Sequence, residues 1–138
     1  MARIATYAVL MVAVCLIGCG SVSSSQRVEE EQEMSEGYIS ISMEEAKQMM
    51  EEETDYILLD VRTVDEFEAG HIPGAVCIPN ETIGEEEIAE LPDKEQKILI
   101  YCRSGNRSKQ AAKKMAELGY QNLVEIGGII DWTGDIEK

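Results

Sequence analysis

Beyond residue 37 the chain alternates between short apolar runs and stretches of helical periodicity. Residues 38–41, with Tyr38, Ile39 and Ile41, read as a short strand. Ser42 and Glu45 are spaced as a capping box that opens a helix to about residue 52. Residues 56–61 form a continuous apolar run that ends in charge, the pattern of a strand covered on both faces. A short helix over 64–69 is stopped by Gly70, and a third strand over 75–78 is ended by Pro79. Residues 82–91 are expected to form a short acidic helix closed by Pro92 and Asp93. Residues 97–101 make a fourth buried strand. A strong helix follows over 108–118, with Ala111, Ala112, Met115 and Leu118 on one face and Gly119 as its C-cap. The last strand, 122–126, leads into Gly127-Gly128 and a terminal helical turn. Strands alternating with helices predict an α/β fold, a mostly parallel five-stranded sheet with helices on both faces. Such sheets bind ligands beyond the carboxyl ends of their strands, which directs attention to the segment after Tyr101.

The first third has a different character. Arg3 is the only charge before Arg27, and residues 4–17 are an apolar run of 14 residues. A membrane-spanning helix needs roughly 20, so the run reads as a secretory signal peptide. It ends in Leu16-Ile17-Gly18-Cys19, which resembles a bacterial lipobox. That resemblance implies lipidation of Cys19, cleavage after Gly18, and an extracytoplasmic protein anchored to a bacterial membrane. Residues 19–37, rich first in Ser and then in Glu, lack a repeating apolar face and are expected to be a disordered tether. The expected organisation is a signal peptide over 1–18, a lipidated tether over 19–37 and one domain over 38–138.

Charge narrows the partners. The net charge is −15, and every Asp and Glu lies beyond Val28. Such a body repels nucleic acid and anionic lipid, so membrane attachment would rest on acyl chains. Of the four cysteines, Cys15 would leave with the signal peptide and Cys19 would be blocked by lipid. Cys77 and Cys102 remain.

Candidate chemistry concentrates in Cys102-Arg103-Ser104-Gly105-Asn106-Arg107-Ser108, between the fourth strand and the following helix. Backbone N–H groups converge at a helix N-terminus and its dipole is positive, which favours a thiolate. Gly105 lets the chain curl into an anion-binding nest, and Arg103 and Arg107 add positive charge. The residues describe a nucleophilic sulfur in a cradle built for negative charge. Lys109, Lys113 and Lys114 extend the basic cluster along the helix, and the cluster is expected to gather anionic donors.

This loop resembles the active-site loop of single-domain rhodaneses. Leu59-Asp60-Val61-Arg62, Glu66-Phe67 and Gly70-His71-Ile72-Pro73-Gly74-Ala75 resemble the family's first signature block, and Gly127-Gly128 with Trp132 its last. The resemblance covers 38–138 and implies sulfur transfer through a Cys102 persulfide, from an anionic donor such as thiosulfate to a thiol or cyanide. It implies that the backbone of Arg103, Ser104, Gly105, Asn106 and Arg107 holds the persulfide, with Arg103 meeting the donor. It implies no metal and no organic cofactor. Related phosphatases place five residues between Cys and Arg where this chain has four, a ring sized for one extra sulfur and not for a tetrahedral oxyanion.

Asp60 and Arg62 are expected to support the site as a buried ion pair, and His71 to orient a turn. By the family's sheet order the second strand separates Cys77 from Cys102. Two strand spacings are about 10 Å, too far for a disulfide. Two other function classes fit a loop cysteine: a thiol-redox enzyme, and a module that binds sulfur or protein without turnover. The first lacks a nearby resolving cysteine, and the two loop arginines argue against the second.

Overall fold

A computed structural model describes residues 34–138, and the expected signal peptide and Cys19 lie outside them. In chain order the elements are β1 (Met34–Ser35), β2 (Tyr38–Ser40), α1 (Met43–Glu52), β3 (Ile57–Asp60), α2 (Val64–Ala69) and β4 (Val76–Cys77). They continue with β5 (Ile98–Cys102), α3 (Asn106–Glu117) and β6 (Leu123–Gly128), with single 3-10 turns at Asn80–Thr82 and Ile129–Asp131. The α/β architecture expected from the alternating pattern is present. The sheet order is β1-β2-β6-β5-β3-β4, parallel except at β1.

β5 carries the site because it is the most enclosed strand. All five of its residues are buried. Period-two alternation sends Ile98, Ile100 and Cys102 to the layer of α3, packed with Ala111, Ala112 and Met115. Leu99 and Tyr101 go to the opposite layer, packed with Met43 and Ala46 of α1. The carboxyl end of such a strand is a fixed platform, and Cys102 is its last residue.

Three expectations change. Residues 34–37 belong to the domain and not to the tether. Met34 pairs with Ile39 and Ser35 with Tyr38, around a two-residue turn with positive φ at Glu36 and Gly37. That is the backbone a tight hairpin requires, and it adds an antiparallel sixth strand to the five expected. Residues 82–91 form no helix beyond the turn at Asn80–Thr82. Gly84 precedes three adjacent glutamates, whose mutual repulsion and poor apolar spacing leave little to hold a helix. Ile83, Ile88 and Leu91 instead anchor an irregular segment to the core. Finally, α3 begins at Asn106, two residues earlier than the periodicity suggests, so Arg107 stands in its first turn.

Both short helices that follow a strand open with a complete capping box, Ser42 with Glu45 and Thr63 with Glu66. Between β3 and α2, Asp60 is fully buried and takes hydrogen bonds from Arg62 at its backbone N, Nε and Nη2. Arg62 Nη2 also reaches the carbonyl of Gly70 at 2.8 Å, tying the end of α2 to the start. His71 continues this closure: its ring stacks on Phe67, and its backbone exchanges two hydrogen bonds with Glu137. Removing one partner of a buried pair leaves the other charge uncompensated, at a cost of about 3–5 kcal/mol. Asp60→Ala is therefore expected to lower the stability measured by urea unfolding by about that amount; a change under about 1 kcal/mol would show that the pair does not hold the α2 region.

Candidate active site

Cys102 is 1% exposed and lies beneath a loop of three residues. The loop turns on Gly105, whose φ of +102° places it in the left-handed region that glycine tolerates. That turn aims the Gly105 N–H at Cys102 Sγ, 3.0 Å away. The Ser108 hydroxyl stands 3.5 Å from the same sulfur. Burial pushes the Cys102 thiol up, but hydrogen bonds from the Ser108 side chain and from the backbone of Ser108, Gly105 and Ser104 outweigh it, and the net shift is downward. The Ser108 hydroxyl and the N–H groups at the helix N-terminus thus favour the sulfur anion together, with the hydroxyl the larger of the two influences.

The loop has a floor that sequence reasoning registered only as a motif. β5 and β6 shift register between Ile100 and Cys102, so that Cys102 comes opposite Gly128. A Cβ at Gly128 would overlap the Arg103 carbonyl oxygen and come within 2.6 Å of Ser104 Cα. Those obstacles are backbone and cannot swing aside, so glycine is needed at 128 for the loop to lie down. The Arg103 carbonyl is then satisfied by the N–H of Ile130.

The loop residues divide by exposure. Arg103, Ser104 and Asn106 face solvent, Gly105 is buried, and Arg107 is half-buried. The guanidinium of Arg107 does not turn to the sulfur but makes a two-pronged pair with Glu66 of α2, at 2.7 and 2.9 Å. Arg107 beside it lowers the Glu66 carboxyl to about 2, aided by its bonds to Thr63. This pair clamps α3 to α2 across the mouth of the loop. Asp60 and Arg62 lie below it and bond to each other and to Gly70, making no hydrogen bond to the loop among the described residues.

The basic cluster expected along α3 breaks up. Lys113 pairs with Glu36 at 2.9 Å, and Lys114 binds the carbonyl and side chain of Asn80. Arg107 is committed to Glu66. Among the described residues, Arg103 and Lys109 are the members of this cluster whose side chains make neither a salt bridge nor a hydrogen bond, since Lys114 is held by Asn80. A donor-gathering role therefore narrows from five residues to two.

Cys77 lies on β4 and Cys102 on β5, with β3 between them, and both are free thiols. Burial raises the Cys77 thiol, the reverse of the shift at Cys102.

Three residues at the site carried no role in the sequence reading: Glu66, Ser108 and Glu125. Glu125 is a lone charge in the apolar run of the last strand, a visible signal. Ser108 starts the buried stripe that continues with Ala111, Ala112 and Met115, the one polar member of that face.

Residues 42–135 match the Rhodanese-like domain family, and the chain belongs to it. It is 39% identical over 99 residues to a putative sulfur carrier protein, YrkF, of Bacillus subtilis, covering 70% of this chain and 52% of that protein. It is 33% identical over 73 residues to the thiosulfate sulfurtransferase PspE of Escherichia coli, covering 53% of this chain and 70% of that protein. The chain spans about half the length of the first of these relatives. Among solved structures, a rhodanese-like domain protein of Staphylococcus aureus superposes with a TM-score of 0.61 at 32% identity, covering 71% of this chain and 95% of that one.

The Glu66 clamp has a consequence in acid. Its folded-state carboxyl lies near 2, below its ordinary 4.5. A lowered carboxyl contributes stability that is full above the ordinary value and is lost as pH falls through the folded one. Glu66→Gln keeps the capping geometry but removes the titration. Its unfolding midpoint is expected to fall less steeply than that of the unmodified chain between pH 4.5 and about 2; equal slopes would show that the pair is not formed in solution.

Proposed function

We propose that the protein is a sulfurtransferase that carries sulfane sulfur on Cys102. The Cys102 thiolate attacks the outer sulfur of thiosulfate, the S–S bond of the donor breaks, and sulfite leaves with the bonding pair. Cys102 is then a persulfide. An acceptor thiolate or cyanide takes the terminal sulfur, and Cys102 returns as the thiolate. No metal and no organic cofactor take part in either step.

The observation that carries this reading is the 3.0 Å contact from the Gly105 N–H to a buried Cys102 sulfur whose ionisation is favoured. The same ring of N–H groups would receive the terminal sulfur of the persulfide, which bears negative charge. Arg103, exposed at the mouth, is the group we assign to the incoming anionic donor, with Lys109 behind it. The kinship with a thiosulfate sulfurtransferase supports thiosulfate as the first donor to test. The lipobox-like Leu16-Ile17-Gly18-Cys19 supports an extracytoplasmic protein anchored to a bacterial membrane through Cys19.

Thiosulfate and cyanide together are expected to yield thiocyanate with two-step, ping-pong kinetics, which report a covalent intermediate. Cys102→Ala is expected to fall to the uncatalysed rate, and Cys77→Ala to keep full activity; turnover that survives Cys102→Ala would contradict the assignment. In a bacterial host, a radiolabelled fatty acid is expected on the full chain and not on Cys19→Ala, and equal labelling of both would remove the anchor.

A further inference from the structure

Glu66 is a carboxylate at the rim of a seat made for anions. Its place is fixed from its own helix, where it is the third residue of α2 and half of the capping box. Its Oε2 takes hydrogen bonds from the Thr63 N–H and the Thr63 hydroxyl, both at 3.0 Å. The same oxygen takes Arg107 Nη1 at 2.7 Å, and Oε1 takes Arg107 Nη2 at 2.9 Å. A fixed negative charge beside an anion seat lowers affinity for every anion. Selectivity is a difference of affinities, however, and repulsion sets it as well as attraction.

The cation that Glu66 engages belongs to the seat. Arg107 closes the loop that begins at Cys102. The hydrogen bond from Glu66 pushes its guanidinium up, and the charges of Glu66, Cys102 and Glu81 add to the rise. Arg107 is therefore within electrostatic reach of the sulfur, and Glu81 of the 80–82 turn is a second carboxylate acting on it. The other cations around the site are held too: Arg62 by Asp60, Lys113 by Glu36 and Lys114 by Asn80. Lys109, two residues after Arg107, leaves α3 on a different face. Arg103 is the loop arginine that keeps its charge for a donor.

We infer that Glu66, acting through Arg107, sets the charge of the preferred donor. By neutralising the second arginine of the loop it withholds the cation that a second negative charge would meet. The mouth then favours sulfane donors with one negative charge and an uncharged organic substituent, at the expense of the thiosulfate dianion. The step at sulfur is the same for both classes. Thiosulfate and methanethiosulfonate differ by a methyl group in place of one charged oxygen. With either, the Cys102 thiolate attacks the outer sulfur, the S–S bond of the donor breaks, and sulfite or methanesulfinate leaves with the bonding pair. Thiosulfate remains a donor, and Glu66 reduces its advantage. The inference rests on the reading of Cys102 as the sulfur carrier and adds which donor the mouth selects.

The pair is also a clamp between α2 and α3, and the two roles separate cleanly. Removing either partner loosens the clamp, which acts alike on both donors. The charge effect has opposite signs for the two partners. Glu66→Gln keeps an acceptor for the Thr63 N–H and leaves Arg107 uncompensated, whereas Arg107→Gln leaves Glu66 uncompensated. A unit charge acts about twice as strongly on a dianion as on a monoanion at the same place. The different intrinsic reactivities of the donors, and any change in the Cys102 nucleophile, cancel when the ratio of the two donors is compared between variants.

The test is kcat/KM of the full chain for each donor, with cyanide as acceptor and the Cys102→Ala rate subtracted; in a two-step cycle this constant reports the sulfur-uptake half alone. In Glu66→Gln the thiosulfate constant is expected to rise about tenfold and the methanethiosulfonate constant about threefold, so that their ratio rises about threefold. In Arg107→Gln the ratio is expected to fall by about the same factor. Both displacements are expected to shrink in 1 M salt, where charges are screened beyond about 3 Å. Ratios that stay at the parent value, that move in the same direction in both variants, or that ignore salt overturn the role of Glu66. Cys102-dependent turnover in the parent with such ratios overturns that role alone. No Cys102-dependent turnover with either donor overturns the carrier reading, and this inference with it.

Discussion

The close approach of the loop to Gly128 is the constraint from which the geometry of the site follows. Residues 103 and 104 lie directly on the backbone of β6, with no room for a side chain between them. Pressed down in this way, the chain must turn back at Gly105 with positive φ, and that turn delivers an N–H to the sulfur at 3.0 Å. The register shift that brings Cys102 opposite Gly128 ends the regular ladder where the chemistry begins. A fully buried central strand supplies the rigidity that such a fit requires.

Around this seat the charged residues have separate duties. Asp60 and Arg62 brace α2 from below, while Glu66 and Arg107 clamp α2 to α3 above. Both pairs are two-pronged arginine–carboxylate contacts, which fix direction as well as distance. They leave Arg103 as the arginine of the loop still open to solvent. In a chain of net charge −15, one or two uncommitted cations at the mouth are what an anionic donor would meet.

Much of this was legible in the sequence because the strands are short, apolar and bounded by Gly, Pro or charge. The succession of strands and helices, the capping box at Ser42 and the turn at Gly105 that brings its N–H to Cys102 all follow from local pattern. The acidic segment 82–91 misled because glutamate is a good helix former, whereas Ile83, Ile88 and Leu91 reach the core from an irregular chain. The hairpin at 34–37 was hidden by composition: Glu36-Gly37 looks like linker, yet both residues take the backbone of a tight turn. Partners distant in sequence were the least legible. Nothing local indicates that Glu66 meets Arg107, or that Ser108 meets Glu125, since those contacts exist only after α2, α3 and β6 have assembled.

The central claim is that Cys102 takes up and releases a single sulfur atom, and intact-mass analysis of the full chain tests it most directly. Incubation with thiosulfate is expected to add about 32 Da, one sulfur, to a peptide containing Cys102, and cyanide is expected to remove it. The same treatment of Cys102→Ala is expected to leave the mass unchanged. Sulfur carried by the Cys102→Ala chain, or an unmodified Cys102 after thiosulfate and every other sulfane donor offered, would contradict the account.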